Sequence, residues 1–290
     1  MRFSTLSVLA SLALAAVPAA LAQAPALPAG SAHFALVQAD NGKTDGSADC
    51  TVTPVPGGFQ IDSRGQMHMG SFSYSFTISN RLDPQLNIVH DQLTGTVKGT
   101  QVTFHMASDA TGRTFNVTIL AAGKTTTNSF DRHQRSVLLP DLDPAAYVEM
   151  AQFALQHPPT AWIVIPKQNG ILVPAEYNPD PDVTGTFHGR PITVHHTSIV
   201  VSSQNGISVE IYYTPEGELL EADLPEQNFY VIHDGFHLQN RPHYTPPRAA
   251  APEAGAQQPG QNGVPPQGQY PPPQGQYPPP QNQYPQPQNQ

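Results

Sequence analysis

The strongest constraint on the fold is an alternation of large apolar and small polar residues in Ser71–Ser79. Every even position carries Phe, Tyr or Ile, and every odd position carries Ser or Thr. Successive side chains of a β-strand point to opposite faces, so the pattern predicts a strand with one buried and one solvated face. We expect Phe72, Tyr74, Phe76 and Ile78 to point into the interior.

The same period of two recurs at Val102–Met106, Phe115–Ile119 and Ile207–Tyr213. Short turn sequences separate these segments, and Asn205-Gly206 is a favoured two-residue hairpin turn. We expect about ten to twelve strands, mostly paired with their sequence neighbours. The predicted fold is mainly β, an antiparallel meander that forms a half-open barrel or a strongly bent open sheet.

One helix is predicted within this meander, at about residues 144–156. Asp143 is a favourable N-cap, Pro144 suits the first helical position, and Pro158 follows the end. The helix has an apolar stripe that must rest on the concave face of the sheet, either as core or as a lid over a cavity. The stripe consists of Tyr147, Met150, Ala151, Ala154 and Leu155.

Both ends of the chain differ in composition from the middle. Residues 1–22 have a positive start, an apolar run and an Ala-Leu-Ala cleavage pattern, which predicts a secretory signal peptide. Residues 246–290 contain 14 Pro and 12 Gln, so we expect a disordered tail with Tyr-Pro-Pro-Pro repeats. A linker at 23–32 and a β-rich domain at 33–245 lie between them. We expect a periplasmic or secreted protein with no transmembrane segment in the mature chain.

Charge and cysteine content exclude several functions. The chain has 13 basic and 22 acidic residues, a net charge of −9, so it lacks the basic surface that nucleic acid binding requires. A single cysteine, Cys50, excludes an intramolecular disulfide and Cys-based zinc or iron–sulfur sites. We expect Cys50 to be buried as a small apolar residue.

Twelve histidines raise the question of a metal site. His195 and His196 are adjacent on a predicted strand and point to opposite faces, so they cannot share a metal ion. A site would require the last strands to bring other histidines together, and the candidate set is His188, His195, His233 and His237. Histidines scattered over a half-polar sheet explain the count equally well, and we expect no metal.

Nucleophilic catalysis has little support. The chain lacks the Gly-x-Ser-x-Gly, His-Glu-x-x-His and Ser-x-x-Lys motifs. Ser129, Asp131 and His133 lie close in sequence, but catalytic triads arise from separate elements and such local spacing is common by chance. We therefore expect a non-enzymatic protein with no catalytic residues and no cofactor.

The later part of the chain resembles exported bacterial proteins of the outer-membrane lipoprotein carrier (LolA/LolB-like) superfamily. The resemblance rests on residues 185–194, the hairpin strand 207–213 and Glu218-Leu219-Leu220. It implies an unclosed barrel whose concave apolar face holds acyl chains under helical cover. The sequence departs from the carriers in having one clear helix and a Pro/Gln-rich tail.

The sequence thus favours an envelope protein that binds an apolar ligand, such as a lipid or lipoprotein, in a half-barrel. Two alternatives remain: a filled barrel that recruits a protein partner through its Pro-rich tail, and a His-based metal-binding protein or hydrolase. The expected ligand-binding residues come from the helix and the inward faces of the strands. They are Phe104, Phe115, Val117, Tyr147, Met150, Leu155 and Ile211.

Overall fold

The computed structural model describes residues 27–158, 160–203 and 206–241, so the predicted signal peptide and tail lie outside the described residues. Sixteen strands and one α-helix are present in this part of the chain. The strands are β1 Gly30–Gln38, β2 Thr44–Val55, β3 Gly58–Met69, β4 Phe72–Leu82, β5 Ile88–Val97, β6 Thr100–Ser108, β7 Thr114–Ala121, β8 Lys124–Asp131, β9 Ser136–Leu138, β10 Ala161–Ile165, β11 Ile171–Phe187, β12 Arg190–Val201, β13 Ile207–Tyr213, β14 Leu219–Leu224, β15 Phe229–His233 and β16 Phe236–Leu238; the helix, α1, is Pro144–Leu155.

The strands form one sheet from two meanders. β1 to β8 pair in sequence order, as do β10 to β15, and β1 joins the two meanders by pairing with β15. Every pairing is antiparallel except that of β9 with β10. The prediction of a mainly antiparallel meander is confirmed. The strand number is larger than expected because three-residue strands such as β9 and β16 carry too few residues to show a period of two.

The sheet does not close, because its two edge strands β8 and β9 do not pair with each other. The two ends overlap instead. β9 contacts β5, and the turn at Gly170 lies against Val117 and Phe104 of β7 and β6. Asn128 of β8 donates a hydrogen bond to the carbonyl oxygen of Asn169 in the same turn, at 2.7 Å. The predicted half-open barrel is therefore confirmed as an unclosed, overlapping sheet.

Helix α1 lies inside this sheet and is buried along its length. Asp143 caps it by accepting a hydrogen bond from the backbone N–H of Ala145 at 3.2 Å, as the sequence predicts. Every residue from Pro144 to Ala154 is buried, including Glu149 and Gln152. The expectation of a single apolar stripe is therefore too narrow, since the helix packs against strands on several sides. Within the described residues, no helix is long and apolar enough to cross a membrane.

The domain begins earlier than the predicted boundary at residue 33. β1 starts at Gly30, and Leu27 is buried in the main core at 4% exposure. Residues 27–32 of the predicted linker therefore contribute to the folded domain. The sequence did not predict this contribution to the fold, because a single buried Leu between Pro and Ala residues produces no periodic pattern.

A bulge bends β11 and creates a second, smaller core on the outer face of the sheet. Pro181 and Asp182 lie between the paired positions Asp180 and Val183, so two residues of β11 stand opposite the single residue His195 of β12. Beyond the bulge, β11 pairs with β16. Residues from β12 to β16 bury each other here: Val194, Tyr212, Leu220, Phe236 and Leu238.

The register predicted for β4 is confirmed. Phe76 and Ile78 are buried, and Phe72 and Tyr74 pack against the same core while partly exposed. Gly65 on β3 pairs with Phe76, and a Cβ atom built at Gly65 would lie 2.6 Å from the Phe76 ring. Gly65 therefore makes the space that the Phe76 side chain occupies.

Replacing Phe76 with Ala should lower the free energy of unfolding by about 3–5 kcal/mol, because the ring fills a packed core. Ser75→Ala, one residue earlier on the exposed face, should change it by less than about 0.5 kcal/mol. Urea denaturation of the two variants measures the difference. Equal losses in both variants would contradict the assigned register.

Candidate functional site

The seven residues predicted to bind a ligand lie together in the main core. Six of them are buried, and Leu155 is partly buried against the same cluster. The helix occupies the space beside them, so these side chains pack against protein atoms. Ligand contact at these positions stays a prediction.

The helix brings a carboxylate into this apolar interior. Glu149 is fully buried and accepts a hydrogen bond from the side-chain amide of Asn80 on β4, at 2.9 Å. Asp91 on β5 is also fully buried, and none of the described residues donates a hydrogen bond to either of its oxygens. Burial raises the pKa of both carboxyl groups well above the ordinary range, and their proximity raises the pKa of Glu149 further.

A third buried carboxyl group, Asp143, lies at the start of the helix. Burial raises its pKa to about 6, and this rise is partly offset by the nearby Ser63 hydroxyl and the backbone N–H groups of Ala145 and Ala146. Acidic groups at a helix N-terminus are favoured by the helix dipole. Asp143 therefore acts mainly as the cap that positions α1 inside the sheet.

Glu149→Gln should stabilise the protein at alkaline pH. In the wild type, folded protein keeps the Glu149 carboxyl group protonated at pH values above 4, at which the unfolded chain releases that proton. The free energy of unfolding is therefore highest at low pH and falls as the pH rises. Gln keeps the acceptor for Asn80 and adds no charge, so the variant should gain about 1–3 kcal/mol at pH 8 and little at pH 4. Denaturation at pH 4, 6 and 8 measures this. Glu176→Gln, on an exposed position of β11, is the matched control and should change neither value.

A pocket of about 150 Å³ opens at one end of the sheet. Its walls come from the segment 28–32, β2, the helix and the turn before β14. Apolar and polar groups share its lining, and we call this feature the end pocket. Its apolar lining includes Phe34, Cys50, Val52, Val148 and Leu219.

His233 and Glu218 supply the polar rim of the end pocket. His233 Nε2 lies 3.8 Å from Glu218 Oε1, and the His233 ring meets the Phe34 ring edge-on at 5.1 Å between centroids. Cys50, predicted to be buried, is 2% exposed. Burial raises the pKa of its thiol well above the ordinary range, whereas an activated nucleophilic thiol has a lowered pKa.

The four histidines considered for a metal site have separate surroundings. The rings of His188 and His233 lie 6.3 Å apart between centroids, whereas His195 Nδ1 lies 2.8 Å from Asp182 Oδ1. His237 is exposed on β16. Across the described ranges, only a different group of His, Asp and Glu residues brings three ligand atoms within 4.8 Å of one another.

That group is Asp180, His196 and Glu210, on the outer face of β11, β12 and β13. His196 pairs directly with Asp180 of β11, and Ser198 pairs directly with Glu210 of β13. His196 Nε2 lies 3.0 Å from Glu210 Oε2, and His196 Nδ1 lies 3.8 Å from Asp180 Oδ2. We call these three residues together with Ser198 the outer cluster.

The neighbouring strand β14 extends the acidic face. Glu221 and Asp223 are fully buried on the outer side, and Arg241 makes two hydrogen bonds to the Glu221 carboxylate, with Nε at 2.7 Å from Oε1. Asp223 pairs directly with Glu210. Burial and the Glu221 charge raise the pKa of Asp223 well above the ordinary range.

The Ser129, Asp131 and His133 set is not assembled as a triad. Ser129 Oγ donates a hydrogen bond to Asn116 Oδ1 at 3.3 Å, and the His133 ring stacks on Trp162 at 3.8 Å between centroids. Ser129 and His133 therefore each have a partner outside the set. The expectation of a non-enzymatic protein stays a prediction.

No family model and no curated protein matches the chain. A similar solved structure is the crystal structure of a beta-barrel-like protein of a domain of unknown function, DUF1849, from Brucella abortus. The two chains are 9% identical with a TM-score of 0.49, and the match covers 74% of this chain and 99% of that one. The LolA/LolB resemblance is supported only as a β-barrel-like architecture, which the strand pairing shows directly; membership of that superfamily is not shown.

The burial of polar residues in the fold was not predicted from the sequence. Glu149 and Gln152 lie in a helix whose other residues are mostly apolar. Two polar residues within such an apolar helix are the sequence feature that could have indicated their burial. The outer cluster was missed because its residues come from three strands. The alternation of β12 does place His196 and Ser198 on one face, but only the register of β11 and β13 brings Asp180 and Glu210 to them.

Proposed function

We propose that this domain is a non-enzymatic, exported cell-envelope protein that binds a small apolar group, such as the end of an acyl chain, in the end pocket. The observation that carries the proposal is a pocket partly lined by apolar side chains, beside an interior otherwise filled by α1. The predicted signal peptide supports export. The proposal moves the ligand from the concave face favoured by the sequence to the end of the sheet.

The size and chemistry of the end pocket agree with such a ligand. A pocket of about 150 Å³ has room for a group the size of benzene. Each buried methylene contributes about 0.8 kcal/mol, so a few methylenes give measurable affinity. His233 and Glu218 at the rim provide polar contacts for a headgroup left outside. The unactivated thiol of Cys50 supports binding rather than covalent catalysis.

Cys50 gives a direct reporter for this proposal because it is the only cysteine of the chain and lines the pocket. Decanoic acid added to the purified protein should slow the reaction of Cys50 with a thiol reagent and raise the melting temperature with ligand excess. Octanoic and dodecanoic acids tested in parallel give the dependence on chain length.

Two variants that fill the pocket provide the specificity test. Val148→Phe and Val52→Phe should abolish the effect of decanoic acid on the melting temperature, since each side chain projects into the pocket. Val89→Phe, an exposed position on β5, is the matched control and should respond like the wild type. A response that survives in both filled variants would place the ligand elsewhere, and no response in the wild type would refute apolar binding here.

A second candidate function is an interaction protein with a filled barrel. The burial of α1 on all sides supports it, because such a core leaves little interior volume for a ligand. The Pro-rich tail that would recruit a partner lies outside the described residues. This candidate becomes the better one if no fatty acid protects Cys50.

A further inference from the structure

The outer cluster contains more close polar contacts than its own protons can satisfy. Ser198 Oγ lies 2.5 Å from both Asp180 Oδ2 and Glu210 Oε2. A hydroxyl group donates one hydrogen bond, so it can satisfy only one of two ionised carboxylates. His196 Nε2 already faces Glu210 Oε2 at 3.0 Å. The arrangement needs one additional positive charge between the carboxylates, either a proton or a metal ion.

The surroundings of the outer cluster include a further buried carboxyl group. Asp223 lies opposite Glu210 on the same face of the sheet, is fully buried, and receives no hydrogen bond from a donor of the described residues. Arg241, the nearest described cation, is engaged by the Glu221 carboxylate through both Nε and a terminal nitrogen. A buried carboxyl group without a donor requires an explanation, and a nearby cation is one such explanation.

The imidazole of His196 is held in place before any ligand arrives. Its ring stacks on Tyr212 at 4.4 Å between centroids with the planes 3° apart. The side chain of His196 is 17% exposed and that of Glu210 is 16% exposed, so the cluster remains open to solvent from one side. A rigid, half-buried imidazole reduces the entropy lost when a metal ion binds.

We propose that Asp180, His196 and Glu210 bind a divalent transition-metal ion of the Zn²⁺ type on the outer face of β11–β13. Ligand atoms of a tetrahedral zinc ion lie about 3.3 Å apart. The three ligand atoms here already lie within 4.8 Å of one another, so side-chain rotations alone bring them to this spacing. Ser198 then hydrogen-bonds a ligating carboxylate, and the fourth coordination position is left for water.

The ligand set selects the class of ion. One imidazole and two carboxylates suit Zn²⁺ and its neighbours in the transition series, whereas Mg²⁺ and Ca²⁺ prefer sites made of oxygen atoms alone. The ion would join three strands at the point where the bulge of β11 bends the sheet. This inference does not depend on ligand binding in the end pocket, which lies on other strands.

Calorimetric titration of the full chain with Zn²⁺ tests the proposal. The wild type should bind one equivalent that Mg²⁺ at millimolar concentration does not displace. His196→Ala and Glu210→Gln should each weaken this binding at least tenfold, and Ser198→Ala should weaken it about tenfold. Glu210→Gln nearly preserves side-chain shape, so it separates loss of the ligand from loss of the fold if His196→Ala is unstable.

His195→Ala is the matched control, because His195 lies next to His196, faces the other side of β12 and contacts a carboxylate of its own. It should bind Zn²⁺ like the wild type. His105→Ala removes the exposed pair in which His90 Nε2 and His105 Nε2 lie 3.0 Å apart, and it should also leave the one-equivalent binding unchanged. Co²⁺ in place of Zn²⁺ should give the strong visible absorption of four-coordinate cobalt, lost in Glu210→Gln.

Two results would overturn the proposal. The first is wild-type protein that binds no Zn²⁺ at micromolar concentration. The second is Zn²⁺ binding that is equally strong in the wild type, His196→Ala and Glu210→Gln, which would assign the ion to other histidines.

Discussion

The burial of α1 inside an unclosed sheet is the constraint on which the rest of the structure depends. Sixteen strands bent around a common interior would leave a large apolar void, and the helix fills it with side chains on every side. Because the helix occupies this space, the two edges of the sheet overlap around it without pairing. Asp143 determines where this arrangement begins, since it caps the helix within the buried region.

Filling the interior with a helix also explains the buried carboxyl groups. A helix turns through all directions within four residues, so no position of α1 can point to solvent once it is enclosed. Glu149 therefore meets Asn80 and Asp91 in the core, and Gln152 instead donates to the carbonyl oxygen of Gly217 at 3.1 Å. Gly217 has no Cβ, and a Cβ there would collide with Gln152. The turn before β14 is thus shaped around the helix.

Local sequence patterns predicted the elements and the pairing of sequence neighbours, but not the pairings between distant strands. The alternation in β4 and the capping by Asp143 follow from neighbouring residues, and both predictions are confirmed. The pairing of β1 with β15 joins residues about 200 positions apart, and no local pattern encodes it. The same limit applies to the candidate sites. The end pocket combines segments that meet through this long-range pairing, whereas the outer cluster depends on the register of three consecutive strands.

The two faces of the sheet divide the chemistry of the domain. Side chains on the inner face pack against α1. Substitutions there should therefore change the free energy of unfolding first and ligand binding second. The outer face of β11–β15 is only partly covered, by the small core around Tyr212 and by Arg241. His196 and Glu210 on this face keep contact with water while holding fixed positions, which is the condition that a reversible metal site needs. A soluble ligand reaches the outer cluster without unfolding anything, whereas a ligand at Glu149 would have to displace the helix.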